Sequence, residues 1–198
     1  MTANKTVDFF DSQFQRQTQQ GAFALNLFEE RVLPLLRGRV LDFGCGLGNL
    51  ALEAARRDCN VLALDGSASA IQRIRDTAQA ERLSVEAEQA ELARYRITGD
   101  FDAVVAIGLL MFFPQARAGE MLSDIMERVR PGGIAAVNVL IEGTTYLDMF
   151  EPGHYYLFGR TELDTRFAAW DRIESRREGF DAPGGTRKEF STVIARKP

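Results

Sequence analysis

Val40-Leu41-Asp42-Phe43-Gly44-Cys45-Gly46-Leu47-Gly48 is the stretch from which the rest of the chain can be read. An apolar run ends in a carboxylate, and three glycines follow at alternate positions. After them, Asn49-Leu50-Ala51-Leu52-Glu53-Ala54-Ala55 has helix-forming composition. The pattern is a strand, a tight turn and a helix, with side chains stripped from the turn so that a nucleotide-like ligand can lie against bare backbone. A dinucleotide fingerprint, G-x-G-x-x-G, needs its third glycine at position 49, where Asn49 stands; here the third glycine is Gly48.

Outward from this turn, short apolar runs alternate with amphipathic helical stretches, the βαβ pattern of a parallel sheet. Strands are expected at Val40–Phe43, Val61–Leu64, about Leu83–Ala90, Phe101–Ile107 and Ile134–Leu140. Ser67 is placed to cap a helix carrying Ala70, Ile71, Ile74 and Ala78. Pro114 precedes a helix with Leu122, Ile125, Met126 and Val129 on one face, and Arg130-Pro131-Gly132-Gly133 is expected to stop it. Upstream, Thr6 to Arg37 reads as helical, because Leu25, Phe28, Val32, Leu35 and Leu36 share one face. Phe9, Phe10, Phe14 and Phe23 sit among glutamines in the first part of that stretch, a composition that suits either a flap over the domain or padding for the sheet.

Beyond Leu140 the character changes. Residues 141–159 are rich in Gly, Thr and aromatics and too irregular for a helix, and a short helix is expected near Thr161–Ala169. Two further strands, about Arg172–Phe180 and Lys188–Arg196, are joined by Asp181-Ala182-Pro183-Gly184-Gly185, a strong turn signal. The fold class is therefore α/β: a Rossmann-like, seven-stranded, mostly parallel sheet with an antiparallel C-terminal hairpin and helices on both faces. One domain over 1–198 is the economical division, with an N-terminal helical flap (1–37), a ligand-binding core (38–140), a lid loop (141–160) and a C-terminal helix and hairpin (161–198).

Composition narrows the partners. At 198 residues, 45% hydrophobic and 26% charged, the chain has the mix of a globular domain able to bury a full core. A net charge of −4 without a long Lys/Arg block argues against nucleic acid as the main partner. No apolar run reaches the roughly 20 residues of a membrane span, and Met1-Thr2-Ala3-Asn4-Lys5-Thr6 lacks the pattern of a secretory signal. Two cysteines without CxxC spacing fit a reducing compartment, so a cytoplasmic location is expected. With a single histidine, His154, and no clustered ligands, no metal is expected.

Ligands of such sheets bind beyond the carboxyl ends of the strands, where strand order reverses. The informative residues are therefore Asp42 and its glycine loop, Asp65, the Glu88–Glu91 stretch, and Gly108-Leu109-Leu110-Met111-Phe112. Charge separates the candidate ligands. A nicotinamide dinucleotide presents a pyrophosphate dianion, whereas S-adenosyl-L-methionine (SAM) presents an ammonium and a sulfonium, which Asp42 suits better. Asp65 fits either, since a carboxylate there can take both hydroxyls of a ribose.

These residues together give the chain a resemblance to class I SAM-dependent methyltransferases over about Arg39–Leu140, through Leu41–Gly48, Asp65, Phe101-Asp102 and Arg130–Gly133. More narrowly it resembles the tellurite-resistance, TehB-like methyltransferases, through Leu110–Phe113, Trp170–Ile173 and Val193–Lys197; unlike many of them it has no histidine in 177–190. The resemblance implies SAM as cofactor. Asp42, Gly44, Cys45, Gly46 and Gly48 would hold its methionine part and Asp65 the ribose. Gly66 and Ser67 would line the adenine, Glu91 and Leu92 would meet its amino group (with Glu88 competing), and Ile107 and Gly108 would border the reacting methyl.

Methyl transfer from a sulfonium mainly requires alignment and exclusion of water. A soft or pre-ionised acceptor needs no dedicated base, whereas an amine or hydroxyl does; one histidine in the chain favours the former. The expected acceptor is a small molecule, a thiol or a tellurium or selenium oxyanion. Its site is expected among Phe10, Phe14, Met111, Phe112, Tyr146, His154 and Tyr156, with His154, Tyr155 and Arg160 as catalytic candidates and none certain. A monomer or weak homodimer is expected. Two other readings stay open: an NAD(P)-dependent oxidoreductase, and a SAM-binding protein without catalysis.

Overall fold

The computed structural model describes Phe14 and residues 23–198. Seven strands form one sheet in the order β3-β2-β1-β4-β5-β7-β6. In chain order these are β1 (Arg39–Phe43), β2 (Asn60–Asp65), β3 (Val85–Gln89), β4 (Phe101–Ile107), β5 (Val129–Leu140), β6 (Asp171–Ala182) and β7 (Thr186–Arg196). β1 pairs in parallel with both β2 and β4, so strand order reverses at β1/β4. β7 runs antiparallel between β5 and β6. The Rossmann-like α/β class, with its antiparallel hairpin, is what the structure shows.

Strand alternation sends successive side chains to opposite faces, and each face has its own core. Val40, Val61, Ala63, Ala103, Val105, Ile134 and Ile194 pack under α1 (Leu27–Val32), α2 (Asn49–Ala55) and α3 (Ala68–Glu81). Leu41, Phe43, Leu64, Val104 and Val137 pack under α4 (Gln115–Arg128) and α5 (Glu162–Arg166), with Phe158 and Phe167 filling the far end. By the same alternation Asp42 and Asp65 fall on the face of α1–α3. Among the described residues no helix is long and apolar enough to cross a membrane.

Two expected elements come out differently. The helix expected to run through Arg37 is, in its described part, a six-residue α1 that Asn26 starts with a capping box. The Asn26 side chain accepts from the Phe28 and Glu29 amides, and Glu29 accepts from the Asn26 amide at 2.8 Å. Pro34 then turns the chain into a single 3₁₀ turn, Leu33–Leu35, and Leu36 is extended. The Thr6–Ala22 portion of that expectation lies outside the described residues, Phe14 excepted.

The other difference is at Arg130-Pro131-Gly132-Gly133, which does not leave the sheet as a loop but belongs to β5. Phe101 faces Val129 while Ala103 faces Ile134, so the Pro-Gly-Gly run is a bulge in the strand. The Gly132 amide donates to the Lys197 carbonyl and the Lys197 amide to that of Gly133, which holds the bulge against the end of the chain.

Candidate cofactor site

The turn after β1 is fixed by backbone hydrogen bonds. The amides of Gly44 and Cys45 both donate to the Leu64 carbonyl, at 2.8 and 3.0 Å, and the Gly48 amide closes the turn on the Cys45 carbonyl. Asp65, the last residue of β2, clasps two turns at once: Oδ2 accepts from the Gly46 amide and Oδ1 from the Ser67 amide, each at 2.9 Å. On the far side the Ala90 amide donates to the Asp65 carbonyl and the Gln89 side chain to the Gly66 carbonyl. The ends of β1, β2 and β3 thus form one hydrogen-bonded ledge.

The three glycines do different work. All have positive φ. A Cβ on Gly44 would lie 2.8 Å from the Leu109 side chain, and one on Gly48 would collide with Ile74 of α3. Their missing side chains also serve close packing within the protein. Gly46 is the one at the outer curve, and Phe14 lies over it, its ring 3.2 Å from where a Cβ would stand.

Asp42 is 5% exposed. Its Oδ2 is buried and has no hydrogen-bond partner. Burial first, then the charges of Glu29 and Asp65, pushes its pKa up to about 8. Burial likewise raises Glu29 and, with Asp42 and Asp65 adding to it, holds the Cys45 thiol well above its ordinary value. A buried carboxylate with an idle oxygen, beside two other acids, is suited to a cation and repels a pyrophosphate.

The remaining cofactor-side candidates are spread along the same rim. The Ser67 hydroxyl caps α3, accepting from the Ala70 amide at 3.1 Å, and Leu92 is buried. Glu91 is exposed and paired with Arg94 at 3.3 Å. Ile107 and Gly108 end β4, where the Gly108 amide donates to the Asn138 carbonyl. A surface hollow of about 340 Å³ lies at the opposite, amino-terminal ends of β2 and β3, lined by Arg56, Cys59 and Arg82, away from all of these residues.

On the acceptor side the structure gathers some candidates and separates others. Met111, Phe112, Tyr146 and Tyr155 share one apolar cluster with Leu140, Met149, Phe150 and Phe190. Tyr156 packs on the other core, its hydroxyl donating to Glu162 at 2.8 Å. His154 has a side chain 65% exposed, beside Glu151 and the Pro152 carbonyl. Arg160 is exposed. Phe10 lies outside the described residues.

Two residues had escaped the sequence reading. Glu29 carries a legible signal, the spacing Asn26-x-x-Glu29 of a capping box, hidden by reading one long helix. Asn138 is a polar residue buried in β5, donating to Thr192 at 2.8 Å, with an idle Oδ1. Nothing in the local sequence marks it.

The family of the methyltransferase domain matches residues 40–133, from the first residue of the β1 apolar run to the end of the bulge. Over these residues the core is similar to the methyltransferase domain family. Hemagglutinin 1 of Eikenella corrodens is 26% identical over 201 residues, 97% of this chain and 64% of that protein. The ubiquinone biosynthesis O-methyltransferase of Acinetobacter baumannii is 32% identical over 126 residues, 62% of this chain and 52% of that one. The chain therefore spans between half and two thirds of these relatives. Among solved structures, TehB from Haemophilus influenzae shares the methyltransferase fold with a TM-score of 0.78 at 19% identity, over 92% of this chain and 65% of that one.

Proposed function

We propose that the protein transfers the methyl group of SAM to a small-molecule acceptor. One observation carries this reading: the buried, partly idle carboxylate of Asp42 directly under a glycine turn at the point where strand order reverses, with Asp65 beside it. In that reading Asp42 and the backbone of Gly44–Gly48 hold the methionine end and Asp65 the ribose. Gly66, Ser67, Glu91 and Leu92 border the adenine, and Ile107 and Gly108 face the methyl. A lone pair on the acceptor attacks the methyl carbon, the carbon–sulfur bond breaks, and its electron pair returns to sulfur, leaving neutral S-adenosylhomocysteine (SAH). The acceptor's proton, if it has one, leaves to solvent.

The acceptor is proposed to be soft or pre-ionised, a thiolate or a tellurium or selenium oxyanion. In support, the chain has one histidine, and it stands exposed on the loop, not within the apolar cluster of Met111, Phe112, Tyr146 and Tyr155. The flap (1–37), core (38–140), lid (141–160) and C-terminal helix and hairpin (161–198) are proposed to divide the labour, with Phe14 closing over Gly46. Formation of SAH from SAM against a panel of thiols, tellurite, selenite and carboxylates tests the reading. Turnover with a thiol or oxyanion is expected. Stabilisation by NADH and not by SAM in a thermal shift would end it, and tight SAM binding without turnover on any acceptor would leave a binding protein in its place.

A further inference from the structure

A second carboxylate reaches the cofactor site from outside the βαβ core. α1 lies on the Asp42 face of the sheet, where Val32 and the following Leu33 and Leu36 pack with Val40, Cys45 and Leu50. The segment before it runs along the glycine turn: the Asn49 side chain donates to the Ala24 carbonyl at 3.4 Å, and Arg73, which bonds the Leu47 carbonyl, stacks 3.9 Å from the Phe23 ring. Glu29 projects from the first turn of α1. Oε2 is held by the Asn26 amide, and Oε1 makes no hydrogen bond among the described residues. No cation of its own helix neutralises it, because the Arg31 guanidinium is bidentate on Glu178 of β6, at 2.5 and 2.7 Å.

Glu29 and Asp42 therefore belong to one face of the sheet, each with an oxygen left over. The Asp42 oxygen is buried without a partner, and the charge of Glu29 is the largest electrostatic influence on it after burial. Like charges so placed are costly unless a cation joins them. We propose that Glu29 is a cofactor-binding residue, which with Asp42 forms an anionic clamp for the α-ammonium group of the cofactor's amino-acid end. The helix ahead of the sheet then does more than cover the site: it selects adenosyl ligands that carry an amino acid.

This inference rests on SAM binding at the Asp42 turn, and the experiment separates the two. SAH and 5′-methylthioadenosine share adenosine and thioether and differ in the amino-acid end, so calorimetry with both isolates the clamp. In the wild-type protein SAH is expected to bind more tightly than methylthioadenosine. Glu29→Gln keeps a side-chain oxygen for the Asn26 amide and removes the charge. It is expected to weaken SAH about tenfold or more, the worth of a charge-assisted hydrogen bond, and to change methylthioadenosine by less than about twofold. Asn26→Ala breaks the other half of the cap while keeping the carboxylate. It is expected to lower thermal stability and leave the ratio of the two affinities as in wild type.

An equal loss for both ligands in Glu29→Gln, or a loss for neither, overturns the clamp and leaves the SAM site standing. A ratio that collapses in Asn26→Ala while Glu29→Gln keeps it overturns the clamp too, because the helix and not the charge would then be responsible. A wild-type protein that binds neither ligand overturns the proposed function and the clamp together.

Discussion

The two ends of the proposed site are built by different forces. At the cofactor end, strand termini are joined through main-chain groups: the Leu64 carbonyl takes two amides of the glycine turn, and the Asp65 carboxylate takes one amide from each of two turns. At the acceptor end, rings meet rings. Phe112 lies 5.0 Å from Phe150, and Phe150 stacks on Tyr155 at 4.5 Å, while the main chain of the loop is held to β7 through Ile141 to Glu189 and through Thr145 and Tyr146 to Arg187, and to Met111 through Tyr156. Backbone hydrogen bonds fix a position whatever side chains surround it, whereas ring packing yields to substitution. The family match covers 40–133 and leaves out the loop and hairpin.

The strongest way to break the comparison is at Gly46. Its φ of +52° disfavours any side chain, most of all a β-branched one, and the Phe14 ring would crowd a Cβ at 3.2 Å. Gly46→Val is expected to abolish SAM binding, a loss beyond about 100-fold or ~3 kcal/mol, with circular dichroism unchanged. A folded variant that still binds SAM would mean the turn is not the cofactor's seat.

Asp42 offers the next largest effect, read as pH dependence. Its folded-state pKa, about 8, lies above the ordinary carboxylate value because burial, then Glu29 and Asp65, disfavour its charge. A raised carboxylate pKa contributes stability that is present while the group is protonated and lost as pH climbs through the folded value. The cofactor-free protein should therefore lose thermal stability between about pH 4 and pH 8, and Asp42→Asn should flatten that decline. Each kcal/mol lost lowers Tm by about 2–4 °C in a chain of this size. Identical melting profiles for variant and wild type across that range would refute the buried, uncompensated carboxylate.

Asp65→Ala removes a clasp on the backbone as well as a ribose ligand. SAM affinity should fall by about 1–3 kcal/mol, with a lower Tm because the Gly46 and Ser67 amides lose their acceptor. Unchanged affinity in calorimetry would place the ribose elsewhere.

The same division explains what could be read in the chain beforehand. Strand ends at Asp42 and Asp65, the glycine turn and the Ser67 cap are local patterns, because the geometry they serve spans a few residues. The bulge at Pro131–Gly133 looked like a helix stop, since its reason is non-local: the end of the chain pairs with it. Gly44 and Gly48 looked like cleared space, but their neighbours Leu109 and Ile74 are far along the sequence. Glu29 was hidden by an amphipathic spacing that ran on through Pro34. On the acceptor side the aromatics of 146–158 were visible as a group, yet nothing in their order told Tyr155, which stacks in the cluster, from Tyr156, whose hydroxyl turns to Glu162.

That last pair gives the smallest and sharpest test of the comparison. Tyr155→Ala removes a stacked ring at the acceptor end without touching any hydrogen bond of the cofactor ledge. An aromatic pair is worth about 0.5–1.5 kcal/mol beyond its buried area, so denaturant unfolding should register a loss of that order or somewhat more. SAM affinity should stay within about twofold, under ~0.5 kcal/mol, because the turn beneath Gly46 is held from Leu64 and Asp65 and not from the loop. If the two ends were one cooperative unit, the loss of the ring would weaken SAM by as much as it weakens the fold. Equal losses in the two measurements would therefore erase the distinction between a cofactor ledge fixed by main-chain bonds and an acceptor wall made of replaceable rings.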